Sequence, residues 1–125
     1  MKTSSKLIGA LILGGMAIPA LAGLKQTYEV YFGTNPLKPY ADGDLAGARN
    51  SADAQQYIGC EATATLGSCY AVNSAGVYKS CSTTDAGLLA VIRSIHGDGH
   101  LYFSWDSSGN CQNIRVRYDS LSPPK

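Results

Sequence analysis

The only two histidines of the chain lie close together, in the stretch His96-Gly97-Asp98-Gly99-His100. Two imidazoles with a carboxylate between them can bind a divalent metal ion, or act as a base and the group that orients it. The same glycines are typical of a helix end followed by a turn, where a histidine is favourable beside the helix C-terminus. We favour this structural interpretation and keep a metal site of His96, Asp98 and His100 as the alternative.

Other patterns that could carry chemistry are weak. The sequence contains no Gly-x-Ser-x-Gly nucleophile motif, no phosphate-binding loop and no dinucleotide-binding fingerprint. The stretches Asp42-Gly43-Asp44 and Asp106 to Asn110 are faintly similar to calcium loops. They lack the EF-hand spacing and its final glutamate, so turns are the simpler interpretation. We therefore expect no cofactor and no catalytic residue, unless the histidine stretch binds a metal.

Tyrosine is the most distinctive residue type, with eight copies in the chain beside a single tryptophan. The residues between His100 and Trp105 alternate in character. Leu101, Phe103 and Trp105 therefore predict one buried face, and His100, Tyr102 and Ser104 point to the opposite face. Tyrosine combines an apolar ring with a polar tip, which suits a contact surface that is partly wet, although it is also common in strands.

The next strand predicts the same alternation, with apolar residues on one face and two arginines on the other. Arg115 and Arg117 would then lie outward beside Tyr102, and Tyr31 points away from the apolar face of its own strand. Tyrosine and arginine are enriched in binding hot spots. We therefore predict that Tyr102, Arg115, Arg117 and Tyr31 bind a ligand, with a solvated sheet face as the competing interpretation.

The chain has four cysteines, Cys60, Cys69, Cys81 and Cys111. An even number in a small exported domain is typical of two disulfides, whereas zinc sites usually contain cysteine pairs about two to four residues apart. A three-residue hairpin loop ending at Gly76 would place Cys69 directly opposite Cys81. We therefore predict disulfides between Cys69 and Cys81 and between Cys60 and Cys111.

Hydrophobic periodicity predicts the elements that position these residues. Alternation predicts strands over 24–32, 57–66, 69–73, 77–82 and 100–105, with a returning strand through Ile114, Val116 and Tyr118. A helix of about ten residues begins at Thr83 or Thr84, with Asp85 in its first turn. The segment 33–50 is rich in turn signals, so we expect a loop that is partly helical. The order predicts an α+β fold, with one α-helix on an antiparallel sheet of about six strands, stabilised by disulfides.

The first 22 residues are typical of a secretory signal peptide. Lys2 and Lys6 precede an apolar run from Leu7 to Ala17, and Ala20-Leu21-Ala22 fits the small-residue cleavage site. The apolar run is too short to span a bilayer comfortably. We therefore expect a signal peptide over 1–22, a single secreted domain over 23–125 and no membrane insertion after cleavage. An uncleaved anchor is the competing interpretation.

Length and charge restrict the classes of partner. A chain of 125 residues is long enough for one domain. Ten basic and nine acidic residues leave a formal net charge of +1, which gives no reason to expect nucleic acid or an anionic membrane as a partner. Disulfides persist in the periplasm and outside the cell, so we expect the protein in one of these places, as a monomer.

Three stretches of the sequence carry a resemblance to other proteins. Tyr57-Ile58-Gly59-Cys60, Ser80-Cys81-Ser82-Thr83-Thr84-Asp85 and Phe103-Ser104-Trp105-Asp106-Ser107-Ser108-Gly109-Asn110-Cys111 are similar to small exported bacterial proteins with the same cysteine layout. The likeness covers most of residues 23–125. It implies export and disulfides, and it implies no activity, substrate or catalytic residue.

A binding role is the function that these features favour. We predict a secreted or periplasmic module that binds a protein or glycan partner without catalysis. Two alternatives remain open. One is a small metal-assisted enzyme on His96, Asp98 and His100, and the other is a self-associating structural subunit that pairs through the strand at 24–32.

Removal of the signal peptide can be tested on the secreted protein. We expect cleavage after Ala22, because the small residues before it fit the specificity of signal peptidase. The intact mass should equal that of residues 23–125 less the four hydrogens lost by four cysteines in disulfides. Reduction should restore those hydrogens. A secreted protein that retains Met1 would contradict the signal peptide.

Overall fold

The computed structural model describes residues 23–122, so the predicted signal peptide lies outside the described residues. The described chain forms seven strands and two helices. In chain order they are β1 (Tyr31–Gly33), β2 (Tyr40–Asp44), α1 (Leu45–Arg49), β3 (Tyr57–Ala62), β4 (Gly67–Val72), β5 (Tyr78–Thr83), α2 (Ala86–Arg93), β6 (His100–Trp105) and β7 (Cys111–Arg117). Neither helix is long and apolar enough to cross a membrane.

The strands form two antiparallel sheets. One sheet has four strands in the order β1-β2-β6-β7, and the other has three in the order β3-β4-β5. The expected α+β content, antiparallel pairing and disulfides are confirmed. The single sheet of about six strands with one helix is wrong, because the segment 33–50 contains both β2 and α1.

Strand β2 has the sequence Tyr-Ala-Asp-Gly-Asp, which contains residues that are depleted in strands. It is a strand because both of its neighbours pair with it: Ala41 lies opposite Phe32 of β1 and opposite Phe103 of β6. Ala41 and Phe103 are fully buried. Tertiary pairing therefore overrides the local turn preference of the Asp-Gly-Asp stretch.

The expected strand over 24–32 is shorter than predicted, because only Tyr31–Gly33 pairs in a sheet. The preceding residues belong to no strand and donate to partners outside any ladder. The backbone N–H of Tyr28 donates to the Asp44 carboxylate at 2.7 Å, and that of Val30 donates to Gln56 Oε1 at 3.0 Å. These contacts fix the segment against the body of the protein.

The apolar core lies under the inner faces of both sheets. The alternation predicted for 100–105 is confirmed at its centre, since Leu101 and Phe103 are fully buried. Trp105 is only half-buried, and His100 and Ser104 are buried although the alternation predicts them on the outward face. Helix α2 adds Leu89 and Ile92, which are buried at helical spacing. The helix begins one or two residues later than expected: Asp85, rather than Thr83 or Thr84, is its N-cap and accepts from the backbone N–H of Leu88 at 2.9 Å.

The predicted disulfide pairing is wrong. The bridges join Cys60 to Cys69 and Cys81 to Cys111, not Cys69 to Cys81 and Cys60 to Cys111. The hairpin on which the prediction rested is nevertheless correct. Gly76 has a φ of +82°, and Cys69 does lie directly opposite Cys81.

The geometry of antiparallel pairs explains the choice between the two neighbours of Cys69. Cys60, Cys69 and Cys81 form one row across the three-stranded sheet. The N–H of Asn73 donates to Val77 O at 3.1 Å. This bond makes Asn73 and Val77 a hydrogen-bonded pair, and such pairs recur every second residue along the two strands. Cys69 and Cys81 are therefore also a hydrogen-bonded pair, in which the Cα atoms are typically about 5.5 Å apart. Cys69 and Cys60 form the narrow pair, with Cα atoms 4.0 Å apart.

The Cys81–Cys111 bridge joins the two sheets. Cys81 belongs to β5, and Cys111 begins β7 of the other sheet. Ser82 donates its backbone N–H to Gly109 O at 3.0 Å, which brings the β6–β7 turn alongside β5. The bridge is therefore set by sheet-to-sheet packing, which the sequence spacing does not express.

The two bridges should contribute unequally to stability. They enclose sequence separations of 9 and 30 residues. The chain-entropy model therefore assigns the longer loop about 1 kcal/mol more. Non-reduced peptide mapping should recover both bridges in wild type. The double variant Cys81→Ser/Cys111→Ser should then lose more unfolding free energy than Cys60→Ser/Cys69→Ser in chemical denaturation. Equal losses, or a Cys69–Cys81 peptide, would contradict this assignment.

Candidate functional site

The outer face of the four-stranded sheet collects most of the residues that the sequence singled out. Strand register places Tyr31, Asp42, Tyr102 and Arg115 in one row across all four strands. The next row contains Asp44, His100 and Arg117. Side chains alternate along each strand, so these rows lie on the face opposite Leu101 and Phe103. The predicted placement of the four candidate residues on one face therefore agrees with the register.

Three tyrosines and an arginine on this face form a continuous stack. The ring centroids of Tyr31 and Tyr40 are 6.2 Å apart, and those of Tyr40 and Tyr102 are 5.2 Å apart with an interplanar angle of 27°. The Arg115 guanidinium lies 4.5 Å from the centroid of the Tyr102 ring. We call these four residues the tyrosine–arginine stack. Sequence reasoning missed Tyr40, because it assigned the segment 33–50 to a loop.

The side chains of the stack pack against one another but remain accessible. Tyr31 is 56% exposed, Tyr40 and Tyr102 are half-buried, and Arg115 is exposed. Burial raises the pKa of Tyr40, as do the neighbouring Asp42 carboxylate and the other two tyrosines. The Tyr40 hydroxyl therefore stays protonated and can donate. Arg115 forms no ion pair within residues 23–122.

Arg117 lies on the same face but belongs to a different arrangement. Its Nε is 2.8 Å from Asp119 Oδ2, and its guanidinium lies 5.8 Å from the centroid of the Tyr28 ring. Its charge is therefore already paired. Of the four predicted ligand-binding residues, the structure brings Tyr31, Tyr102 and Arg115 together and places Arg117 beside them.

His100 is buried between two carboxylates, at one end of this face. Its Nδ1 lies 3.0 Å from Asp44 Oδ1, and its Nε2 lies 3.4 Å from Asp42 Oδ2. Asp44 is fully buried and also accepts from the Ser122 hydroxyl at 3.3 Å. The Tyr28 ring meets the imidazole edge-on at 5.2 Å. Segments near both ends of the described chain therefore contact the His100–Asp44 pair.

The two carboxylates determine the protonation of His100. Burial disfavours the imidazolium, but the hydrogen bonds to Asp42 and Asp44 and the charges of these carboxylates outweigh it. The pKa of His100 is therefore raised above its ordinary value of 6.5. The protonated ring can donate to both carboxylates at once, whereas the neutral ring can donate to only one.

The structure gives the predicted metal site no common centre. His96 stacks on the Tyr118 ring, with centroids 4.4 Å apart, whereas His100 contacts Asp42 and Asp44. In the part of the chain that the structure describes, no three histidine, cysteine, aspartate or glutamate side chains form a group that could hold a metal ion. Gly97 has a φ of +60°, but it lies three residues beyond Ser94, the C-cap of α2, so it forms the turn before β6 and does not end the helix.

Comparisons of the chain with models of protein families, with curated proteins and with solved structures find no match. The fold and this face define a disulfide-bonded α+β domain of two antiparallel sheets, with an ordered aromatic and cationic surface on one of them.

Stability should depend on pH through His100. A raised folded-state pKa favours the folded protein below the unfolded value of 6.5, and this contribution is lost as pH rises through the folded-state pKa. Unfolding free energy, measured by denaturation from pH 5 to pH 9, should therefore fall on the alkaline side. His100→Asn should remove this dependence, and Asp42→Asn should reduce it. An unchanged slope in His100→Asn would contradict the assignment.

Proposed function

We propose that this protein is a secreted, non-catalytic binding module that contacts a partner protein through the tyrosine–arginine stack. Secretion is supported by the signal-like first 22 residues and by the two disulfides, which are consistent with an oxidising extracellular environment. The observation that carries the binding role is the stack itself, since its rings and guanidinium already pack against one another.

Preorganisation is the physical reason that such a stack favours binding. Immobilising a side chain at an interface costs about 0.5–1.5 kcal/mol of conformational free energy. A side chain that is already packed against its neighbours has lost part of its conformational freedom before binding. Tyr102 is held between the Tyr40 ring and the Arg115 guanidinium. Tyrosine and arginine are also the residue types that contribute most to hot spots.

The packing of the rings favours a protein over a glycan. A sugar ring packs its C–H groups on an open aromatic face, but Tyr40 and Tyr102 cover each other and Arg115 covers Tyr102. What Tyr102 leaves accessible is its ring edge and hydroxyl group, beside the unpaired Arg115. The Tyr31 ring is 56% exposed and meets Tyr40 at a tilt of 53°. This combination suits a protein surface with an apolar contact and an acidic side chain opposite Arg115.

The other two functions have less support. The metal-assisted enzyme needs His96 and His100 at one centre, and these residues have different partners. The self-associating subunit needs a long free strand at 24–32, but β1 offers only three residues. Short edge strands limit pairing with a second chain.

Affinity capture with the immobilised protein, from the medium and the envelope of the producing cells, tests the proposal. Proteins captured by wild type should be lost with Arg115→Ala and with Tyr102→Ala, and retained by Tyr78→Ala, an exposed tyrosine on the other sheet. With the purified partner, each stack substitution should cost about 1–3 kcal/mol, or roughly 5- to 150-fold in Kd. Equal capture by all variants would contradict the role of the stack.

Thermal melting separates lost binding from lost folding. Phe103 is fully buried, so Phe103→Ala should cost about 3–5 kcal/mol of stability. Arg115 is exposed, so Arg115→Ala should stay close to wild type. A stability loss in Tyr102→Ala as large as that in Phe103→Ala would make Tyr102 a core residue and contradict its assignment to a binding face.

A further inference from the structure

The three-stranded sheet ends at β3, and a groove of about 490 Å³ lies along this strand. Its other walls are α1 and the residues that follow α2. Apolar side chains line much of it: Leu45 and Ala48 from α1, Ile58 from β3, and Ile95 after α2. The groove is on a different sheet from the tyrosine–arginine stack and is independent of it.

The edge of β3 presents unpaired backbone groups to this groove. The N–H of Thr63 donates to Leu66 O at 2.7 Å, which makes these residues a hydrogen-bonded pair of the β3–β4 hairpin. Alternate residues of a strand direct their backbone groups to opposite edges. Ile58 and Cys60 therefore direct their N–H and C=O groups away from β4. The short Cα distance of 4.0 Å between Cys60 and Cys69 agrees with this register.

These four backbone groups have no hydrogen-bond partner within residues 23–122. Ile58 is 6% exposed and lines the groove, and Cys60 is half-buried beside it. An extended chain lying along β3 would supply the missing partners. Such strand addition derives affinity from main-chain hydrogen bonds and selectivity from the side chains beside the groove.

The charges that line the groove restrict the occupant. Arg49 is exposed and forms no ion pair or hydrogen bond through its side chain in the described chain. His96 also lines the groove, and the lining residues include no carboxylate. An occupant with an acidic side chain therefore complements the groove, whereas a basic one meets an unpaired guanidinium.

Among the other edge strands, β5 and β1 are less suited to strand addition. At β5 the N–H of Ser82 is already bonded to Gly109 O, so the β6–β7 turn occupies part of that edge. Strand β1 contributes only three residues. The groove at β3 combines a free edge, an apolar lining and an unpaired cation.

We propose that the β3 groove binds an extended acidic peptide segment of another protein, which adds as a fourth strand beside Ile58 and Cys60 and places a carboxylate near Arg49. The occupant is thus recognised by main-chain hydrogen bonds and by one charge contact. This role is additional to the stack on the opposite sheet.

The proposal can be tested with a capped peptide of alternating valine and threonine that contains one glutamate. Amide hydrogen exchange, followed by NMR on the full disulfide-bonded protein, should become slower at Ile58 and Cys60 when the peptide binds. It should not change at Tyr57 and Gly59, whose N–H groups already donate to β4. A peptide N-methylated at alternate amides should bind far more weakly. Unchanged exchange at Ile58 and Cys60 with the peptide at millimolar concentration would overturn the proposal.

Matched variants test the charge contact. Arg49→Gln should weaken binding of the glutamate peptide by about tenfold, because a charge-assisted hydrogen bond is lost. Binding of a glutamine version of the peptide should not change. Lys79→Gln removes an exposed cation from β5 of the same sheet and should change neither affinity. Equal weakening by both variants would overturn the assignment of Arg49.

Protection of the Cys60 N–H before any peptide is added, to the level seen at Tyr57 and Gly59, is the remaining decisive result. It would mean that a second copy or another part of this chain already occupies the edge, and it would overturn the proposal. Light scattering on the same sample should give a monomer mass if the groove is free for a partner.

Discussion

The contact between Asp44 and His100 is the interaction on which this fold depends most. Asp44 ends β2, His100 begins β6, and the two are 56 residues apart in sequence. Asp44 also accepts from the backbone N–H of Tyr28 and from the hydroxyl of Ser122. A fully buried carboxylate is costly unless it is paired and hydrogen-bonded. One side chain therefore fixes the N-terminal segment, the sheet centre and the C-terminal segment against one another.

These contacts of Asp44 also affect the N-terminus of α1. Asp44 occupies the N-cap position of this helix, where aspartate usually accepts from a backbone N–H of the first turn, but here its side chain makes no cap hydrogen bond. Its carboxylate oxygens are used by His100, Tyr28 and Ser122 instead. The helix is only five residues long and depends on packing, with Ala46 and Ala48 buried.

The buried Asp44–His100 pair is connected to the exposed tyrosine–arginine stack through Asp42. Asp42 contacts His100 on one side and lies opposite Tyr31 and Tyr102 in the strand register. The stack therefore rests on the central strands, whose position Asp44 and His100 determine. Outward residues on such a support are held more rigidly than residues of a free loop, which is what an ordered contact surface requires. On the other sheet, the free edge of β3 is a different kind of surface, because it presents backbone groups instead of ordered side chains.

The sequence by itself determined the features that depend on neighbouring residues. Alternation identified Leu101 and Phe103 as core and Tyr102 and Arg115 as outward, and the glycine at position 76 identified the hairpin that places Cys69 opposite Cys81. Only the tertiary structure decided which elements meet. Strand β2, the separation into two sheets, the place of Tyr40 in the stack, the burial of His100 and the Cys81–Cys111 bridge all depend on contacts between distant segments. Periodicity specifies which face of a strand is apolar, but the partner of that strand is chosen by packing over the whole domain.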